Sequence, residues 1–192
     1  MTRKELGDEE LAAIAKGGDV SAFGDLVRRY QDRVFGFMLR SVRDPVVAED
    51  LAQDVFLKAF RGLGTFRTSA KFAPWLYRIG TNRVSDWLAL EGRRRFPGVR
   101  TDVDDVRDTA PGTLRTVEAR QSVEAVRDRI RFLPPDMQKA VLLRHMMGLS
   151  YADIAEVTGW PPGTVRTNLF RARARLKSFF DELTGKTCDV KK

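Results

Sequence analysis

The sequence predicts an all-α protein of two small helical domains, and three observations predict it. Apolar residues recur at helical spacing through nearly every periodic segment, and no segment shows convincing strand alternation. Residues 96–116 break that spacing with Pro97, Gly98, Pro111 and Gly112, and Asp102, Asp104, Asp105 and Asp108 make the stretch locally acidic. Residues 150–177 read as helix, tight turn and a second helix that carries only positive charge. The predicted organisation is a domain over 1–95, an acidic flexible linker over 96–116, a domain over 117–184 and a polar tail over 185–192.

The elements follow in order. Leu11, Ile14 and Ala15 place a short first helix that ends at Gly17-Gly18. Phe23, Leu26, Val27, Tyr30, Val34, Phe37 and Met38 then form one apolar stripe of a long helix. Asp44-Pro45 is a cap followed by a first-turn proline, and it opens a third helix to about Phe60. Val47, Leu51, Val55 and Phe56 can face inward on it, while Asp50, Gln53, Asp54 and Leu57 lie at i, i+3, i+4, i+7 on one outward strip. Gly62 to Ser69 reads as a loop. A fourth helix spans about 71–95, with Pro74 in its first turn and Trp75, Leu76, Ile79, Val84, Trp87 and Leu88 as candidate core. Beyond the linker, Leu133-Pro134-Pro135-Asp136 starts a helix that Gly148 ends.

The last unit carries the most information. Ser150 can cap a helix with Asp153 as its reciprocal partner, a capping box with Asp in place of the usual Glu. Ala155 is small where two helices must cross closely, and Gly159 supplies a left-handed C-terminal residue. Pro161 and Pro162 fit a helix start. No acid occurs between Val157 and Phe180, whereas Arg166, Thr167, Phe170, Arg171, Arg173, Arg175 and Lys177 do. A helix of that kind can enter a major groove and hold phosphates, although many basic helices are merely solvated.

Composition agrees with a polyanion partner. The 192 residues hold 34 Lys and Arg against 26 Asp and Glu, a net charge of +8. That excess suits nucleic acid or an acidic membrane surface. One Cys, Cys188, and one His, His145, cannot build a zinc site or an internal disulfide, so no metal and no cofactor are expected and the compartment should be reducing. The first residues hold no apolar signal segment and no run reaches membrane-spanning length, so a cytoplasmic protein without membrane insertion is expected. No nucleophile triad, phosphate loop or ligand cluster is visible, so no catalytic residue is assigned and an enzyme is not expected. His145 reads as structural.

One further segment interleaves aromatics with cations: Thr65-Phe-Arg-Thr-Ser-Ala-Lys-Phe-Ala-Pro-Trp-Leu-Tyr-Arg-Ile-Gly-Thr-Asn-Arg-Val-Ser-Asp-Trp87. Such a surface can stack an unpaired base and hold its backbone, or its aromatics can be core. Arg78, Asn82 and Arg83 are harder to bury than Trp75 and Trp87. Arg93, Arg94 and Arg95 are a phosphate clamp or a basic helix end.

These segments together resemble the extracytoplasmic-function (group IV) sigma factors of bacterial RNA polymerase. The resemblance rests on Glu49-Asp-Leu-Ala-Gln-Asp-Val-Phe-Leu-Lys-Ala-Phe60, Trp75-Leu-Tyr-Arg-Ile79 with Asn82 and Asp86, Leu133-Pro134, Leu149-Ser-Tyr-Ala-Asp-Ile-Ala155, Gly163-Thr-Val-Arg166 and Arg171-Ala-Arg-Ala-Arg-Leu176. It covers about residues 10–95 and 118–178. It implies a sigma domain 2-like unit that reads and opens the −10 element, and a sigma domain 4-like helix-turn-helix that reads the −35 duplex. It places Asp50, Gln53, Asp54, Phe56 and Leu57 at the polymerase, where the family docks on the clamp helices of the largest subunit. The flap of the second-largest subunit is the second expected contact. Thr65, Phe66, Ser69 and Lys71 fall where the family captures a flipped base, and Asn82 falls at the upstream duplex edge of the −10 element, with Arg78 and Arg83 as further candidates for −10 DNA contact by their own chemistry. Arg166 and Phe170 fall at −35 bases and Arg171 and Arg173 at phosphates; Thr167 and Arg175 complete the expected −35 contact set, Arg175 lying further along the helix where it meets backbone. The expected partners are core RNA polymerase, promoter DNA and an anti-sigma factor, and the expected location is the cytoplasm, at the nucleoid.

Two departures qualify this. Leu76 stands where primary sigma factors carry a denser aromatic cluster, so melting should be weaker and the promoter more tightly specified. Asn168 replaces the Arg of many relatives, so base contacts do not transfer there. A stand-alone helix-turn-helix regulator is the alternative; it explains the C-terminal half but neither the Asp50–Leu57 strip nor the Thr65–Asp86 segment.

Overall fold

The computed structural model describes residues 6–95 and 129–183, with backbone only at 92–95, 131 and 182–183. The linker aspartates, the expected start of the second domain near 117, the tail with Cys188 and the side chains of Arg93, Arg94 and Arg95 lie outside the described residues. Every described element is helical. The order is α1 (Asp8–Lys16), α2 (Val20–Val42), α3 (Pro45–Gly62), a 3₁₀ turn (Leu63–Thr65), α4 (Phe72–Arg95), a 3₁₀ turn (Ile130–Phe132), α5 (Pro135–Val141), a π-helical turn (Leu142–Met146), α6 (Tyr151–Thr158) and α7 (Pro162–Leu183).

Local chemistry sets most of the boundaries. Asp19 caps α2 by accepting from the amides of Ser21 and Ala22, and Asp44 caps α3 by accepting from Val46 and Val47. Each satisfies donors that the first turn leaves open. Arg43 ends α2 in the left-handed region at φ 62, an uncommon conformation for a residue with a Cβ. α4 has a cap that no local pattern announces: the amide of Phe72 donates to Glu9 Oε1 of α1 at 3.1 Å.

The N-terminal helices pack around the predicted stripe of α2. Phe23, Leu26, Tyr30, Val34, Phe37 and Met38 are buried there, with Leu51 and Val55 from α3 and Leu76 and Val84 from α4. Fully burying one such side chain is worth roughly 1.5–3 kcal/mol. The core departs from the predicted apolar positions. Ile14 and Leu88 are exposed, while Phe72 and Tyr77 are among the largest buried side chains. Tyr30 meets both Phe72 and Tyr77 edge to face, and its hydroxyl donates to Asp8. Burial pushes the Tyr77 phenol up to about 12, as expected for a core group.

The buried residues of both halves form one continuous cluster, because α4 packs on α6. Gln138 Nε2 also donates to the Arg40 carbonyl at 2.9 Å. A Cβ on Gly36 would lie 3.5 Å from the Met146 methyl of the π turn.

Candidate nucleic-acid interface

The helix-turn-helix forms as its local residues dictate. The Ser150 hydroxyl accepts from the Asp153 amide at 3.1 Å, while the Ser150 amide donates to Asp153 Oδ2 at 3.0 Å. Gly159 adopts φ 73 and donates to the Ala155 carbonyl, which closes α6. The Pro161 carbonyl then accepts from Thr164 and Val165, starting α7. Val165, Leu169 and Ala172 are buried and fix the rotation of α7 about its axis. That rotation leaves Arg166, Thr167, Phe170, Arg171, Arg173 and Arg175 exposed. Phe170 is 71% exposed, so it contributes nothing to the core. Arg166, Phe170, Arg173 and Lys177 recur at i, i+4, i+7, i+11 and share one face, whereas Arg175 points to another. Asn168 is half-buried. His145 is exposed in the π turn; partial burial, then the Arg173 and Arg144 charges, hold its pKa below 6.5.

The segment before α4 is less open than its sequence suggests. Phe66, a candidate for base contact on its sequence position, is 1% exposed and packs against Phe72 and Trp75 at centroid distances of 5.8 and 5.1 Å. It is core, because the 3₁₀ turn directs it under α4 rather than outward. Thr65, Ser69 and Lys71 are exposed. Thr65 donates to the Gly62 carbonyl at 2.7 Å, and Lys16 of α1 donates to the Phe66 carbonyl at 2.8 Å. With Glu9 on the Phe72 amide, α1 therefore anchors this loop at two points. No pattern in the sequence signals that role of Glu9 and Lys16, which lie in an unremarkable charged helix. The expected free loop instead contains the 3₁₀ turn over Leu63–Thr65.

On α4, Arg78 and Asn82 are exposed, but Arg83 is not free. Its Nε lies 2.5 Å from Asp54 Oδ2 on α3 and its Nη1 3.3 Å from Asp86 Oδ2. The outward strip of α3 keeps Asp50, Gln53 and Leu57 exposed or nearly so, with Leu57 at 53%. Asp54 is half-buried by its contact with Arg83. Phe56 is half-buried and lines a shallow groove between α2 and α3 with Val27, Gln31, Phe35, Ala52 and Gln53. Lys71 reaches across to α6, with its Nζ 3.1 Å from Asp153 Oδ1. Among the described residues no group of His, Cys, Asp and Glu could hold a metal ion, and no helix is long and apolar enough to cross a membrane.

Residues 26–94 match the family described as Sigma-70 region 2, and residues 124–176 match Sigma-70, region 4. The RNA polymerase sigma-H factor of Pseudomonas aeruginosa is 40% identical over 173 residues, 86% of this chain and 90% of that protein. The ECF RNA polymerase sigma-E factor of Escherichia coli K12 is 36% identical over 180 residues, 88% of this chain and 92% of its own length. The solved structure of CnrH bound to the cytosolic domain of CnrY matches with a TM-score of 0.67 and 25% identity, covering 91% of this chain and 97% of that one. The sigma factor RpoE of Bartonella quintana, solved with the anti-sigma factor NepR, shares the fold at a TM-score of 0.64 and 24% identity, covering 86% of this chain and 98% of that one.

Proposed function

The chain belongs to the extracytoplasmic-function sigma factors, which direct RNA polymerase to promoters, and we propose that α3 and α4 carry docking and −10 reading while α7 reads the −35 duplex. The family is one of non-catalytic initiation factors, so bond-making belongs to the polymerase. That polymerase is cytoplasmic, and association with the nucleoid follows from promoter binding.

The observation that carries this division of labour is the way the polar residues are distributed. Asp50, Gln53 and Leu57 stand exposed on α3, Arg78 and Asn82 on α4, and the basic face on α7. Acid on the docking strip steers and orients a basic partner surface. An amide such as Asn82 can both donate to and accept from a base edge. Thr65, Ser69 and Lys71 border the expected base-capture loop, without Phe66. The domains proposed are 1–95 and 117–184, joined by the acidic stretch.

Promoter engagement requires the α4–α6 contact to open. Elements centred at −35 and −10 lie about 25 base pairs apart, about 85 Å of duplex at 3.4 Å each. In the closed form Lys71 of the −10 unit sits 3.1 Å from Asp153 of the −35 unit. A chain held so cannot reach both elements. External control by an anti-sigma factor fits a chain that cycles between a closed and an open form. RpoE of B. quintana, which has this fold, was solved with such a partner.

The test is run-off transcription with core polymerase on a genomic promoter library, comparing the wild type with Asp50→Arg. Asp50 is a better probe than Asp54, where Arg would face Arg83. Promoter-specific transcripts are expected from the wild type, and much weaker core binding from the folded variant. A variant that folds and transcribes normally would remove docking from α3. Specific duplex binding by the isolated chain, with no need for core, would favour a stand-alone regulator.

A further inference from the structure

Arg83 and Asp54 sit at the seam of two surfaces. Asp54 belongs to the α3 strip whose other members, Asp50, Gln53 and Leu57, are exposed. Arg83 directly follows Asn82, whose side chain is exposed on α4. Instead of extending beside Asn82, Arg83 folds back onto Asp54 at 2.5 Å and is braced by Asp86 at 3.3 Å. Its side chain is 26% exposed and that of Asp54 is 35% exposed. The Arg83 Nε at the contact is itself buried and makes no hydrogen bond, so its desolvation offsets much of the attraction and the pair gains little net free energy. Either member can therefore leave for an external partner at small cost.

We propose that Asp54 is exchanged between Arg83 and a cation of the polymerase docking surface, so that docking releases Arg83 to a DNA phosphate beside Asn82. This rests on the assignment of α3 to docking and α4 to −10 DNA. In the free chain Asp54 holds Arg83 away from nucleic acid. When a basic group of the polymerase takes the Asp54 carboxylate, the guanidinium loses its nearer anion and keeps only Asp86, whose side chain is 60% exposed. A phosphate then competes well, since Arg can present a fork of N–H donors to it. Linkage makes the effect reciprocal: DNA that captures Arg83 frees Asp54 and tightens core binding. Arg83 is thus a positioning residue in the free chain and a phosphate ligand in the complex.

The experiment titrates the full chain with fluorescent oligothymidylate over a salt series and, separately, with core polymerase. Asp54→Asn and Asp50→Asn remove the same charge from the same helix, but only Asp54 holds Arg83. Asp54→Asn should tighten oligothymidylate binding severalfold more than Asp50→Asn, and should steepen the salt dependence by about 0.7, one single-strand phosphate contact. In an Arg83→Gln background that difference should vanish. Arg83→Gln alone should tighten core binding severalfold, because Asp54 is no longer engaged internally. The exchanged pair D54R/R83D rebuilds the internal contact; it should melt like the wild type yet bind core and oligothymidylate poorly.

Equal oligothymidylate affinities for Asp54→Asn and Asp50→Asn would overturn the exchange, as would an unchanged core affinity for Arg83→Gln. If Asp50→Asn weakens core binding while the exchange fails, docking on α3 survives and only the sharing of Asp54 falls. If neither Asp50→Asn nor Asp54→Asn alters core affinity, the docking assignment falls with it.

Discussion

Asp153 has two jobs in the structure, and replacing it tells which one matters for stability. Its carboxylate accepts from the Ser150 amide at 3.0 Å and from the Ser150 hydroxyl at 2.6 Å, completing the capping box of α6. It also receives Lys71 of the N-terminal unit at 3.1 Å. The two contributions differ in kind. Asp153→Ala keeps the Ser150 hydroxyl on the residue-153 amide but removes the acceptor of the Ser150 amide and hydroxyl, a loss of about 0.5–1.5 kcal/mol at a side chain only 14% exposed. The Lys71 side chain is 66% exposed, so that pair, discounted for screening, contributes no more than about 0.5 kcal/mol. The cap should dominate. For a chain of this size 1 kcal/mol moves the midpoint by about 2–4 °C. Asp153→Ala is therefore expected to lower Tm by about 3–5 °C, and Lys71→Met by about 1 °C. Raised salt should erase the Lys71 effect and leave the Asp153 effect. The pH dependence gives a second check. Burial raises the Asp153 pKa, but the Ser150 hydroxyl and then Lys71 outweigh it, so the net direction is below 3.8. A depressed carboxylate stabilises the fold above its ordinary value, and that stabilisation is lost as pH falls through the folded value. The gap between wild type and Asp153→Ala should hold at neutral pH and close only below about pH 3.8. Thermal melts by circular dichroism, over pH and salt, measure both. A Lys71→Met loss as large as that of Asp153→Ala, and equally salt-sensitive, would reverse this ranking: the contact between the two units would then outweigh the cap.

Three further outcomes can be checked in holoenzyme. Asn82→Ala should cost roughly 1–3 kcal/mol on preferred promoters and less on templates altered at the contacted base pair; a uniform loss would make Asn82 a structural residue. Arg166→Ala should relax preference at one −35 position, whereas Arg175→Ala, on another face of α7, should weaken all sequences about equally and lower the salt slope by about one unit. Changing Asp102, Asp104, Asp105 and Asp108 together to Asn should alter the ratio of abortive to full-length transcripts more than core affinity; unchanged yields would reduce the stretch to a tether.

Features made by local chemistry are legible in the chain alone. Asp44 and Ser150 cap helices because each side chain bonds amides two or three residues on. Gly159 ends α6 because the left-handed conformation carries no Cβ penalty there. The α2 stripe and the basic face of α7 follow from helical periodicity, and the ordered motifs identified the family. Which distant group each ambiguous side chain meets emerges only once the helices pack. Phe66 has the composition of a base-stacking residue, but the turn before α4 places it against Phe72 and Trp75. Tyr77 gave no sign of being core until α2 brought Tyr30 against it. Arg83 and Lys71 read alike as exposed cations. One is captured by Asp54 across α3 and the other by Asp153, 82 residues away. Glu9 caps α4 from 63 residues away. Caps and stripes repeat over one or two turns of a single helix, so they leave a mark in the sequence. Ion pairs and ring contacts between helices depend on crossing geometry, which packing of the whole core sets.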